Sequence, residues 1–423
     1  MITFVPAFKP VGTVAAVPSK SDVHRALICA SLCPDETFVK VSELCADTGA
    51  TVECLRALGG RVDRAEGGFS VSGPMFGGGV LDCRESGSTL RFLLPVAAAL
   101  GKPAKFVGSG KLPLRPMNVL VEALRGKGLK ADRDFLPISI SGGISGGQYE
   151  LPGNISSQFI SGLMMALPLT GEECVVNLTT KPESELYIEM TRNTLRRFKV
   201  CWERTVSKET GLVSYRFSGG KYISPGKYEA EGDWSGAAFF AVMGALGAKV
   251  TLTGLNFDSL QPDRKIIEIV EKAGADVNIS GGELTVSRKI LNPINVDVSG
   301  CPDLFPVLAV LACGAKGESL LYNAARLRIK ESDRIETTAQ LIRSLGGKAE
   351  TGSDWLKIYG NGKLCGGEAD GANDHRIVMS AAVAAVISET GVSVKGSEAV
   401  GKSYGGFFEA IKNCGACPAG KDV

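Results

Sequence analysis

Histidine is scarce in this chain: His24 and His375 are the only two among 423 residues, and they share no spacing that a pair of metal ligands would need. Three tryptophans and an aromatic share of 7% leave few of the stacking platforms that a single-strand nucleic-acid binder uses. An excess of either charge is missing too, because 47 Lys and Arg face 45 Asp and Glu. A net charge of +2 generates no field strong enough for a general polyanion coat, so any anion site has to be local. Long apolar runs are also absent. The stretch from Phe92 to Leu100 is half of the roughly 20 residues a membrane span requires, and no basic segment precedes an apolar one at the N-terminus. The chain is expected to be soluble and not exported. Its twelve cysteines are scattered singly and read as small apolar residues in a reducing compartment, the cytoplasm, rather than as a disulfide framework. One close pair, Cys414 and Cys417, has neither a second such pair nor a neighbouring histidine and reads as packing. No metal site is expected.

What the sequence does contain is repetition. An amphipathic helix, a glycine-containing stop, a polar strand, a turn and a closing glycine recur at intervals of about 70 residues, with the stop near Gly60, Gly128, Phe198, Gly274, Gly346 and Gly415. Glycine suits that point because a helix commonly ends in a left-handed residue, which costs glycine nothing. The sixth copy runs out of chain after its stop, so another segment must finish it, and the spare strand at Met1–Pro6 is the candidate. Each repeat also holds a second helix that is apolar nearly all round and therefore buried. The chain is expected to be α/β, with six repeats forming two three-repeat domains, 12–227 and 228–423 plus 1–11, and with the buried helices aiming their starts at the cleft between them.

The openings of those buried helices carry the chemistry: Pro18–Arg25, Glu85–Arg91, Gly153–Gln158, Glu231–Ser235, Cys301–Asp303 and Asn373–Arg376. Helix starts present unpaired N–H groups and the positive end of the macrodipole, so several of them aimed at one place make an anion site. Capping accounts for the Ser, Asn and Asp residues equally well. It does not account for Lys20, Arg25, Arg91 and Arg376, which the dipole opposes and an anionic ligand would favour. Further cations lie in Lys111–Arg115, in Arg326–Arg334 and at Lys402. Asp303 and Glu331 are the acids placed among them and are candidates for proton transfer.

The ordered set Ser19-Lys-Ser-Asp-Val-His-Arg-Ala, Ser86-Gly-Ser-Thr-Leu-Arg, Leu114-Arg-Pro-Met, Ser156-Ser-Gln, Glu231-Gly-Asp-Trp-Ser, Lys330-Glu-Ser-Asp-Arg, Asp374-His-Arg and Gly401-Lys-Ser resembles the 5-enolpyruvylshikimate-3-phosphate synthase family over essentially the whole chain. The resemblance implies a two-domain inverse α/β barrel of three repeated units per domain. It implies transfer of the enolpyruvyl group of phosphoenolpyruvate to the 5-hydroxyl of shikimate 3-phosphate, with no cofactor and no nucleic-acid or membrane partner. By the same resemblance, Lys20, Gly87, Arg115, Gln158, Arg334, Arg376 and Lys402 hold phosphoenolpyruvate. Lys20, Ser21, Arg25, Ser156, Ser157, Gln158, Ser184, Asp303, Arg326 and Lys330 hold shikimate 3-phosphate. Asp303 acts as base and Glu331 as acid, and Lys20 can share either step. The chain is expected to act as a monomer. It departs from the family pattern at Glu85, where Asn is frequent, at Arg326, where one branch has Asn, and at Tyr404-Gly-Gly, where an aromatic and Pro follow Lys402.

Two other readings remain. The sister transferase acting on UDP-N-acetylglucosamine usually carries a reactive cysteine near the position of Arg115, whereas no cysteine lies between Cys83 and Cys174 here. A non-catalytic ring of repeats binding a polyanion such as RNA would need more positive charge than this chain has.

Overall fold

The computed structural model describes residues 1–73 and 77–421. These hold twelve α-helices: α1 (Lys20–Ser31), α2 (Ala46–Ala57), α3 (Gly87–Ala99), α4 (Asn118–Arg125), α5 (Ser157–Ala166), α6 (Glu185–Arg197), α7 (Trp234–Leu246), α8 (Ile266–Lys272), α9 (Phe305–Cys313), α10 (Arg334–Ser344), α11 (His375–Ala384) and α12 (Phe407–Ala410). The two kinds alternate. Odd-numbered helices are buried along almost their whole length, α9 and α11 at every residue, although α1 and α11 open with charged and polar side chains. Even-numbered helices bury a stripe, as α4 does with Leu120, Val121 and Leu124 while its other residues stay at least partly exposed. None of the described helices is long and apolar enough to cross a membrane.

The six stops share one hydrogen-bond pattern. The N–H of residues 60, 129, 200, 275, 347 and 416 reaches back five residues, and the N–H of the residue before each reaches back three, to helix carbonyls. This is a Schellman closure, which needs a left-handed residue at its corner. That corner is Gly59, Gly128, Gly274, Gly346 and Gly415 in five copies, and Lys199 at φ 58° in the third. The corner thus lies one residue before Gly60 in the first copy and one after Phe198 in the third. Next to the sixth corner Cys414 is buried and Cys417 exposed, and burial pushes the Cys414 thiol up to about 11. Packing therefore accounts for Cys414 alone.

Six four-stranded sheets share one construction: an edge strand, a parallel neighbour, an antiparallel third strand and an antiparallel outer one. In the second sheet these are Gly79–Asp82, Ala104–Val107, Ile138–Ser141 and Lys130–Ala131, with α3 crossing between the first two. The sixth sheet is closed by the N-terminal strand Ile2–Val5, antiparallel to Val392–Lys395. It also has its own outer strand, Ala419–Lys421, paired with Ile2–Phe4, so the chain does not run out at the stop.

The chain divides into two compact units, 18–230 and 1–17 with 231–423. Each has its own apolar core, around α1, α3 and α5 in one and around α7, α9 and α11 in the other. The boundary expected at residues 12 and 227 moves for a topological reason. Val11–Ala15 precedes α1 in the chain but is the edge strand beside Lys249–Thr253, in the unit of 231–423. Reciprocally, Lys227–Glu229 precedes α7 but edges Thr37–Lys40 in the unit of 18–230. Each crossing leaves its edge strand behind in the unit the chain departs from.

Candidate active site

In the unit of 18–230 the assigned residues gather at helix starts. Lys20 is the first residue of α1 and its ammonium lies 3.0 Å from Asp47 Oδ2 at the start of α2. Ser21 lends its carbonyl to Arg25, whose guanidinium is buried and fully directed. Nε donates to the Thr191 hydroxyl at 2.7 Å, Nη1 to the Ser21 carbonyl at 2.6 Å and Nη2 to the Tyr187 carbonyl at 3.0 Å, with the Phe92 ring beneath. Burial pulls this guanidinium down to about 10 although Asp22 opposes the shift.

Gly87 opens α3 behind the cap Ser86, which accepts the N–H of Thr89. A β-carbon at Gly87 would come within 2.7 Å of Nη1 of the buried Arg115, so the sequence motifs at 86–91 and 114–117 meet through this glycine. Gln158, in the first turn of α5, is held by Arg91 and Ser88 of α3 at 2.6 and 2.9 Å. Ser156 precedes α5 in an extended backbone without a side-chain capping bond, Ser157 is buried behind it, and Ser184 opens α6 in the left-handed region at φ 54°. Strain of that kind in a non-glycine residue is concentrated at functional sites.

The unit of 231–423 arranges its share around one buried arginine. Arg334, first residue of α10, donates from Nε to Asp374 Oδ2, from Nη1 to Asp303 Oδ1 and from Nη2 to Glu331 Oε2, each at 2.8 Å. Arg376 takes the other Asp303 oxygen at 2.7 Å. Asp303 therefore lies between two guanidiniums. Burial would raise its pKa, but Arg376 and Arg334, followed by Lys330, outweigh burial and hold the carboxyl well below the usual carboxylate range. Lys330 itself is pushed down to about 8 by burial, against the pull of Asp303. Arg326 donates to the Ser299 carbonyl at 2.9 Å, and Lys402 to the Asn373 carbonyl at 2.6 Å, three residues before Arg376.

The supporting roles of Asp374, Asp47, Ser88 and Asp263 escaped the sequence reading, as did the use of Arg91 to hold Gln158. Asp374 is fully buried, and it holds Arg334, accepts from Ser332 and caps α11 through the Arg376 N–H. Its only signal in the sequence was its place before His375-Arg376, where Asp reads as an ordinary cap. Asp47 as partner of Lys20, and Ser88 with Arg91 as partners of Gln158, meet through packing of separate helices, and no local pattern announces them. Asp263 is also buried, bonded to Ser235; burial and then the Asp303 charge raise it to about 7.

A family model for EPSP synthase (3-phosphoshikimate 1-carboxyvinyltransferase) matches residues 8–411. Proteins named 3-phosphoshikimate 1-carboxyvinyltransferase from Clostridium kluyveri and Clostridium perfringens are each 37% identical to the chain, over 96% of it and 95% of the first relative and over 97% of both for the second. A solved structure of EPSP synthase from Acinetobacter baumannii superposes with a TM-score of 0.80 at 25% identity, covering 99% of each chain.

Proposed function

The chain belongs to the EPSP synthase (3-phosphoshikimate 1-carboxyvinyltransferase) family, and from that premise we propose how its residues divide the work of enolpyruvyl transfer from phosphoenolpyruvate to the 5-hydroxyl of shikimate 3-phosphate. One observation carries the reading most directly: the Asp303 carboxylate sits between the guanidiniums of Arg334 and Arg376. A proton acceptor is thereby placed among cations suited to a phosphorylated carboxylate.

The product is an enol ether, so a bond must form between the 5-hydroxyl oxygen and C2 of phosphoenolpyruvate, and C2 becomes electrophilic when C3 is protonated. Asp303 takes the hydroxyl proton, being ionised at any pH near neutrality, while Glu331 delivers a proton to C3. The tetrahedral adduct then loses a proton from C3 and its C2–O bond to phosphate breaks, which restores the double bond and releases inorganic phosphate. Lys20 can share either transfer.

Arg115, Arg334, Arg376 and Lys402 neutralise the phosphate and carboxylate of phosphoenolpyruvate, with Gly87 letting Arg115 lie against the start of α3. Ser156, Ser157 and Ser184 serve the shikimate phosphate; Ser21, Arg25, Arg326 and Lys330 serve its ring and carboxylate; Gln158 contacts both ligands. The protein acts as a monomer in the cytoplasm, a reading supported by the separate apolar core in each unit and by twelve free cysteines. Phosphate release from phosphoenolpyruvate that depends on added shikimate 3-phosphate is the expected result. Release without it, or release only with UDP-N-acetylglucosamine, overturns the reading.

A further inference from the structure

The amide of Gln158 has unlike ends, and its surroundings decide which end meets a ligand. Arg91 has only N–H groups to offer, so the Gln158 atom 2.6 Å from its Nη1 must be the carbonyl oxygen. That leaves Nε2 to donate to the Ser88 hydroxyl at 2.9 Å, with its second hydrogen remaining. Arg91 is itself fixed, 5% exposed and with its guanidinium over the Phe159 ring at 5.3 Å.

The backbones below are fixed as well. Pro95 removes the helical bond that the Arg91 carbonyl would accept. One turn beyond Gln158, Gly162 packs so closely on that carbonyl that a β-carbon there would lie 2.2 Å from it. The α3–α5 approach that brings Gln158 to Ser88 and Arg91 is thus set by a proline and a glycine, independently of the side-chain contacts.

We propose that Arg91 is a positioning residue: with Ser88 it locks the Gln158 amide, its oxygen turned to Arg91, so that this side chain meets the substrates as an N–H donor. The specificity that follows is for acceptor atoms, the oxygens of a phosphate, carboxylate or ether, over a hydroxyl proton. The proposal rests on Gln158 contacting the substrates and adds what it can offer them.

The test combines calorimetric binding of shikimate 3-phosphate with steady-state kinetics and thermal unfolding midpoints. Gln158→Glu keeps the shape and the Arg91 partner but has no hydrogen to donate, and its KM for both substrates should rise at least about tenfold. Unchanged affinity in this variant would mean that Gln158 accepts, and would overturn the proposal. Arg91→Met keeps the apolar stem over Phe159 but frees the amide. It should raise KM about tenfold with kcat largely retained, and Arg91→Lys, which still donates, should restore most of the loss. In a Gln158→Ala background, Arg91→Met should add nothing further to KM, and an additive loss would make Arg91 a ligand contact instead. A lower unfolding midpoint with unchanged KM would reduce Arg91 to a packing role and overturn the proposal. Failure of the parent protein to bind shikimate 3-phosphate at all would instead sink the functional reading.

Discussion

The two units hold their buried arginines in opposite ways. In 18–230, Arg25 donates to a hydroxyl and two backbone carbonyls, and the Arg91 guanidinium donates to the amide oxygen of Gln158. In 231–423, Arg334 donates to three carboxylates and Arg376 to one of the same three. Neutral partners fix a guanidinium in space without cancelling its charge, so the first arrangement is a rigid receiver for anions. Carboxylate partners cancel charge, and on the proposed assignment they hold the base and the acid of the reaction beside one guanidinium. Arg25 is thus held by neutral oxygens and Arg334 by carboxylates.

The comparison is tested most severely at the carboxylates. Asp303→Asn and Glu331→Gln should each lower kcat by about 10²–10⁴ with KM changed far less. Solvent-deuterium incorporation at C3 of phosphoenolpyruvate should fall sharply in the Glu331 variant. Near-normal turnover in either variant would move that role to Lys20.

Stability should differ between the two arrangements as well. Asp374→Ala leaves a buried guanidinium short of a counter-ion, which costs about 3–5 kcal/mol, whereas Thr191→Val removes a neutral acceptor from Arg25 at about 1.5–3 kcal/mol. Urea unfolding of both variants makes the measurement, and equal losses would break the contrast.

A pH profile sharpens it. Lys330, lowered from the ordinary 10.5 to about 8, loses its charge as pH rises through 8. Accordingly kcat/KM for shikimate 3-phosphate should decline above about pH 8, by up to about tenfold per unit. Lys330→Arg keeps its charge and should hold the plateau to higher pH. A profile with the same alkaline limb in both proteins would remove Lys330 from that role.

A smaller effect is expected from Gly87→Ala. Its new methyl displaces the Arg115 guanidinium and should raise KM for phosphoenolpyruvate about three- to tenfold while the unfolding midpoint barely moves. The smallest comes from the odd helix stop. Lys199→Gly should stabilise the unit of 18–230 by about 1 kcal/mol or less, since the left-handed strain relieved exceeds the entropy glycine loses. The reverse kind of change, Gly274→Ala, should destabilise the other unit.

Local costs were the legible part of this sequence. A left-handed corner is expensive for any residue but glycine, so glycine marked five of the six stops, while the third was placed near Phe198 without one because Lys199 bears the strain. Cations at helix starts were conspicuous because the dipole opposes them, which is how Lys20 and Arg376 were found. Apart from the N-terminal strand that the unfinished sixth repeat called for, pairings between distant segments left no trace. A boundary at residue 12 gives most of Val11–Ala15 to the repeat that follows it, and only its register with Lys249–Thr253 assigns it elsewhere. Asp374 looked like a cap, and is one; that it also holds Arg334 depends on a residue 40 positions away.

The exchange of edge strands has a consequence for synthesis on the ribosome. Every strand of the unit 18–230 has been made once residue 230 emerges, so that unit can fold while translation continues. Residues 1–17 cannot: Val11–Ala15 waits for Lys249–Thr253, and Ile2–Val5 for Val392–Lys395 and Ala419–Lys421. At about 5–20 residues per second, the remaining stretch takes on the order of 10–40 s. Val11–Ala15 gains its partner within about 1–5 s of the emergence of residue 230, whereas Ile2–Val5 has none until the last stretch of the chain is made. The segment most exposed to mispairing is thus the oldest part of the nascent chain, and its two strands belong to the unit that finishes last.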